Sequence, residues 1–161
     1  TPFIGLLYAG LILTDDGIKV IEFNARFGDP ETQVVLPRLQ TPLSQLLMAA
    51  ASGTLEDQPQ PVFADDVAVT VVLASEGYPE SPLTGRLIEG VDAAGDVPGV
   101  HIAHAATPAT DAGLIATGGR VLNVVAVGST FAEARERAYE SLGRIHLDGS
   151  HHRTDIAARV S

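Results

Sequence analysis

The chain is 161 residues long, room for one mid-sized domain or two small ones, and a hydrophobic content of 45% is enough for a packed core. Charged residues make up only 19%, which excludes global disorder, and the absence of Cys excludes a disulfide framework and thiolate chemistry and fits a cytoplasmic protein. A net charge of −10, with one Lys against nine Arg, leaves no basic stripe for nucleic acid, and the longest apolar run, residues 3–13, is too short to cross a bilayer.

The chain has no initiator Met and opens directly inside a strand-like apolar run, a pattern that predicts a cut within a longer protein. Residues 3–13 and 18–24 are predicted strands, joined through Asp16-Gly17, a strong hairpin signal. Asp29-Pro30 predicts a helix start, with Asp29 as N-cap and Pro30 in the first turn, and Pro37 should keep that helix short. Thr41-Pro42 repeats the signal; Leu43, Leu46, Leu47 and Ala50 form a helical stripe, and Gly53 supplies the stop. The polar tract 55–61, with two Pro and no periodicity, marks a domain boundary, giving domains 1–60 and 61–161. Beyond it, strands are expected at 67–73, 86–88, 100–105, 114–116 and 121–127. Thr130-Phe131-Ala132-Glu133 is a capping box opening a helix whose apolar stripe runs through Phe131, Ala134, Ala138, Leu142 and Ile145. Hairpin-type strands with interspersed helices predict an α+β fold.

The chemistry concentrates in residues 20–31, VIEFNARFGDPE. Glu22 and Asn24 are two apart on a strand, so they share a face and offer a carboxylate and an amide oxygen. Mg²⁺ prefers such hard oxygen donors and commonly takes only one or two from protein, leaving other positions to water and phosphates. A lone Glu-x-Asn is more often an ordinary solvated face. On a continuing strand Arg26 joins the same side and could set a planar cation against a phosphate. Gly28 allows close backbone approach, and a helix starting at Asp29 would bring free N–H groups suited to anions. Elsewhere the bland readings prevail: His101 and His104 face opposite sides of a strand, His151-His152 lie in a loop, and Gly118-Gly119-Arg120 reads as a turn with a surface Arg.

The Glu-x-Asn pair after a DG hairpin resembles the metal-binding strand of the ATP-grasp superfamily. The longer string LYAGLILTDDGIKVIEFNARFGDPETQVVLPRL, residues 7–39, closely resembles the phosphoribosylamine–glycine ligase (glycinamide ribonucleotide synthetase) family, for which EFNxRFGDPE is a signature. VVLASEGYP at 71–79, TGGRVL at 117–122 and RTDI at 153–156 resemble its C-terminal domain, so the likeness covers essentially the entire chain. It implies the second half of an ATP-grasp domain followed by a small mixed α/β C-terminal domain. It also implies ATP-dependent joining of glycine to 5-phosphoribosylamine through glycyl phosphate, giving glycinamide ribonucleotide, ADP and phosphate in purine biosynthesis. Glu22 and Asn24 then correspond to ligands of Mg²⁺ (or Mn²⁺), Arg26 to a contact for the transferring phosphoryl group or acyl phosphate, and Gly28, Asp29 and Pro30 to the lining of a substrate pocket. Many ATP-grasp enzymes carry a further acidic ligand on the preceding strand, where counting back across the hairpin places Gly10. No GxxxxGK loop is present and Lys19 sits in the hairpin, so the chain alone is expected to be inactive. Rival readings are another ATP-grasp ligase or a biotin-carboxylase-like carboxylase, and a non-catalytic association module.

Overall fold

A computed structural model describes residues 3–160. The chain divides into two compact units, the first ending at Ala64 and the second beginning at Asp65. Every strand pairing is antiparallel, as the hairpin-rich pattern predicts for an α+β fold. No helix among the described residues is long and apolar enough to cross a membrane.

In the first unit β1 (Tyr8–Thr14) pairs with β2 (Gly17–Asn24) around the two-residue turn Asp15-Asp16. The first predicted strand therefore begins later than expected: β2 stops at Asn24, opposite Tyr8, and the residues before Tyr8 have no ladder partner. Gly10 pairs with Glu22 but Leu11 pairs with Val20, which leaves Ile21 as an extra residue in β2. Glu22 and Asn24 both lie beyond this bulge, so their common face survives it.

A turn at 29–31 delays the next helix to α1 (Thr32–Val35), and a 3-10 turn at Leu36–Arg38 continues it through Pro37. The predicted cap at Asp29 is not formed. Glu31 occupies the N-cap position, and the Asp29 carboxylate accepts from Gln33 Nε2 at 2.9 Å. Helix α2 (Leu43–Ser52) ends as the sequence predicts, with Gly53 left-handed at φ 71° and its N–H closing on the carbonyls of Ala49 and Ala50. Residues 62–64 return to this unit through Gln40 N to Val62 O at 2.9 Å and Ala64 N to Arg38 O at 2.7 Å.

In the second unit the strands are β3 (Val67–Ala74), β4 (Arg86–Ile88), β5 (Val100–His104), β6 (Ala109–Thr110), β7 (Gly113–Ala116) and β8 (Arg120–Gly128). They form two three-stranded sheets, β3-β8-β5 and β4-β7-β6. The short helix α3 (Val91–Gly95) and strand β6 were not foreseen. Register sets Val71 opposite Val124 and Leu73 opposite Leu122, and all four are buried. Helix α4 (Phe131–Leu142) packs Ala134, Ala138 and Leu142 into the same core. The chain after α4 is fastened by Arg135, which donates to the carbonyls of Thr154 (2.9 Å) and Ile156 (3.1 Å) and lies over the Tyr139 ring. Arg135 is thus a structural anchor, as is its half-buried neighbour Arg137, which pairs with Glu133 and donates to the Val127 carbonyl at 2.6 Å.

Candidate functional site

The end of β2 and the loop that follows hold Glu22, Asn24, Arg26, Gly28, Asp29 and Pro30, the residues expected from the sequence. Asn24 Nδ2 donates to Glu22 Oε1 at 2.8 Å, confirming that the two side chains share a face. In that bond the NH₂ end of the amide is committed to Glu22, leaving Asn24 Oδ1 and the second Glu22 oxygen as the remaining acceptors of the pair. Gly10, directly across from Glu22, adds no second carboxylate; a Cβ there would stand 3.2 Å from Glu22 Cγ. Among the described residues no cluster of three or more His, Asp or Glu is arranged to hold a metal. The donor set fits an ion such as Mg²⁺ that draws its remaining ligands from phosphate and water, and does not form a closed protein cage.

Arg26 does not sit on a continuing strand. β2 ends at Asn24, Ala25 and Arg26 form a bend, and Arg26 Nη1 donates to the Phe27 carbonyl at 2.7 Å. The guanidinium nevertheless remains close enough to the Tyr8 phenol to act on it electrostatically, as does Glu22. At this turn Thr32 N bonds Gly28 O and Gln33 N bonds Pro30 O, both at 3.2 Å, so those two N–H groups are taken within the chain.

Gly28 is buried and occupies a close approach. A Cβ on it would stand 2.6 Å from Glu31 Oε2 and 3.1 Å from Tyr8 Cδ2. The Tyr8 phenol pKa is raised, first by its interaction with the Glu31 carboxylate, then by desolvation and the negative charges of Glu31 and Glu22; Arg26 opposes the shift. Beside them lies a concavity of about 190 Å³ lined by Leu6, Tyr8, Phe27, Gly28, Glu31 and Val35, among others. Tyr8 and Glu31 were missed by sequence reasoning, since nothing in local spacing joins two residues so far apart in the chain.

Among the described residues the histidines belong to no metal-holding cluster. His104 Nδ1 bonds Thr107 Oγ1 at 2.8 Å, His151 joins an isolated bridge to Ala74, and the His152 ring is tilted against Tyr139. Gly119 lies against the Tyr78 ring, where a Cβ would come within 2.2 Å of Cδ2.

Two family models match the chain: the phosphoribosylglycinamide synthetase C domain over residues 68–159, and the phosphoribosylglycinamide synthetase ATP-grasp (A) domain over residues 1–32. Among curated proteins, the phosphoribosylamine–glycine ligase of Leifsonia xyli is 70% identical over 99% of this chain and 39% of its own length. The protein of the same name from Streptomyces coelicolor is 58% identical over 100% of this chain and 39% of its own length. The crystal structure of phosphoribosylamine–glycine ligase from Thermotoga maritima superposes with a TM-score of 0.76 at 35% identity, covering 93% of this chain and 36% of that one. The chain thus spans roughly two-fifths of the relatives it matches, 39% of the first two.

Proposed function

Since the chain belongs to the phosphoribosylglycinamide synthetase family, we propose that it is the C-terminal part of an ATP-dependent ligase that joins glycine to 5-phosphoribosylamine. In this reading residues 1–60 complete an ATP-grasp domain, residues 61–161 form the C-terminal domain, and the longer protein works in the cytoplasm. The γ-phosphoryl group of ATP passes to a glycine carboxylate oxygen and ADP departs. The phosphoribosylamine nitrogen then attacks the activated carbonyl, phosphate leaves and the nitrogen gives up a proton. Such a transfer needs charge neutralisation and alignment more than covalent chemistry from protein.

The observation that carries the reading is the Glu22–Asn24 pair, whose hydrogen bond holds a carboxylate and an amide side by side on one face. These residues would hold Mg²⁺ or Mn²⁺, which supplies positive charge to the nucleotide phosphates when bound. Arg26 would place its remaining guanidinium donors against the transferring phosphoryl group or the acyl phosphate. Gly28, Asp29 and Pro30 would line the substrate side of the same loop. With no GxxxxGK loop and only a two-residue metal pair, the chain by itself supplies one wall of such a site.

The test is Glu22→Gln in the full-length protein. Gln still accepts from the Asn24 amide, so the hairpin keeps its local bond while the site loses its charge. The Mg²⁺ concentration giving half-maximal ADP release should rise on the order of tenfold or more. Unchanged turnover with unchanged Mg²⁺ dependence would refute the assignment.

A further inference from the structure

The loop that follows β2 is closed by Gln33. Its backbone N–H bonds the Pro30 carbonyl at 3.2 Å, and its side-chain Nε2 donates to Asp29 Oδ1 at 2.9 Å. A carboxylate accepts and does not donate, so the nitrogen end of the Gln33 amide must be the one that faces Asp29. The other end, Gln33 Oε1, is buried and has no hydrogen-bond partner among the described residues. The half-buried side chain is therefore satisfied at one end only.

A buried amide oxygen without a partner works against stability, and an apolar side chain of similar size would remove that cost. The advantage of glutamine here must lie in what its nitrogen holds, and half-satisfied groups of this kind are more readily explained by function than by folding. Asp29 is a residue that needs holding. It lies two positions before the N-cap of α1, so its carboxylate does not cap that helix, and the loop that bears it has no place in the β1–β2 ladder. A hydrogen bond to one carboxylate oxygen selects among the rotamers open to such a side chain.

We infer that Gln33 is a positioning residue: from α1 it holds the Asp29 carboxylate in the orientation in which it receives the amine of a substrate. The inference rests on the proposed ATP-grasp reading, in which Asp29 lines the substrate side of the loop, and it adds a residue and the chemical group that residue serves. A carboxylate repels nucleotide phosphates and attracts an N–H donor, so its partner is an amine and not ATP. Both small substrates of the proposed reaction carry one, glycine as its ammonium and 5-phosphoribosylamine as the attacking nitrogen.

The experiment compares Gln33→Met, Asp29→Asn, the two together and Glu22→Gln in the full-length ligase. Methionine is unbranched like glutamine and lacks its amide donor. Gln33→Met should raise KM for one of the two amines about tenfold, with KM for ATP and the Mg²⁺ dependence changed less than about twofold. Its melting temperature should hold or rise, because the unpaired oxygen is gone. The amine whose KM rises is the one that Asp29 receives. Asp29→Asn should raise the same KM, and the pair should be no worse than Asp29→Asn alone, because Gln33 acts only through that carboxylate. A lower melting temperature with unchanged KM for both amines would make Gln33 a structural pin and overturn the inference. Losses that multiply in the pair, or a rise confined to KM for ATP, would overturn it as well. If Gln33→Met does not fold, Gln33→Glu keeps the shape, replaces the donor by an acceptor and decides by the same comparison of KM values. Glu22→Gln separates this inference from the reading beneath it. Unchanged turnover and Mg²⁺ dependence in Glu22→Gln sink the metal site itself, whereas impaired Mg²⁺ use there beside normal KM values in Gln33→Met sinks only the role of Gln33.

Discussion

At the residue scale, the Asn24 side chain has one way to satisfy both ends of its amide in this hairpin. Its NH₂ is taken by Glu22, so its oxygen must find a partner outside the pair. Arg26 is the less settled neighbour, because its guanidinium spends one donor on the Phe27 carbonyl. Of its five N–H donors that leaves enough for a two-pronged contact with phosphate. Lys would keep the charge and lose the fork. In the full-length enzyme we therefore expect Arg26→Lys to lower kcat on the order of 10²-fold while KM for ATP rises much less. The competing role is structural, as a brace for the bend at residues 25–26. Steady-state kinetics and a melting curve on the same variant distinguish them: unchanged kcat with a lower melting temperature defeats the catalytic role. The sequence made the Glu22–Asn24 pair legible because a spacing of two survives any strand register. It could not show the bend at Arg26, the bulge at Ile21 or the approach of Tyr8 and Glu31 to Gly28, since each depends on how the chain folds back around the hairpin.

At the element scale, legibility follows length and capping chemistry. Helix α4 was readable because it is 12 residues long, carries an unbroken apolar stripe and announces its start. Helix α3 has five residues and β6 has two, too few to express a period of 3.6 or to reveal a paired edge. The capping box of α4 differs in one respect from its usual form. Thr130 Oγ1 accepts from Glu133 N at 3.2 Å, but the Glu133 carboxylate reaches one residue further back, to Ser129 N (2.7 Å) and Ser129 Oγ (2.8 Å). Those two bonds, side chain first, hold the Glu133 carboxyl below its ordinary value of 4.5, with Arg137 adding to the effect. A carboxyl depressed in the folded state contributes stability that is complete above the unfolded value. That contribution is lost as pH falls through the folded value. The melting temperature should thus decline as the solution is acidified below about 4.5, and Glu133→Gln should reduce the slope of that decline. Asp155, depressed by its hydrogen bonds to Arg153, contributes in the same window, so the variant should soften the acid loss without abolishing it. Superimposable acid melting profiles for the two proteins would remove Glu133 from the account.

At the scale of the whole molecule, the two units differ in how far they can support themselves. The second unit buries Val71, Val121, Leu122, Val124, Leu142 and Leu147 in a continuous core. In the first unit the only buried hydrophobic among the described residues is Ala49, at 5% exposure. Its hairpin shows apolar side chains on both sides, with Leu13 80%, Ile18 68%, Ile21 66% and Phe23 61% exposed. An apolar groove of about 410 Å³, lined by Ile4, Leu6, Leu43, Leu47, Ala50 and Leu55 among others, lies open in the same unit. A two-stranded hairpin without a covered face is marginal in water, and burial of apolar area is what offsets the entropy of ordering it. The proposed site is therefore carried by the less self-sufficient part of the chain. This asymmetry gives a direct expectation for hydrogen exchange on the 161-residue chain. Amides of β3 and β8 should exchange near the limit set by global unfolding of the second unit, whereas amides of β1 and β2 should exchange faster by orders of magnitude. In the full-length protein, if the apolar faces of the hairpin are covered as the ATP-grasp reading requires, protection in β1 and β2 should rise while that of β3 and β8 changes little. Equal protection of the hairpin in the two proteins would mean that these faces gain nothing from the longer chain, and the assignment of residues 1–60 to a completed ATP-grasp domain would fall with it.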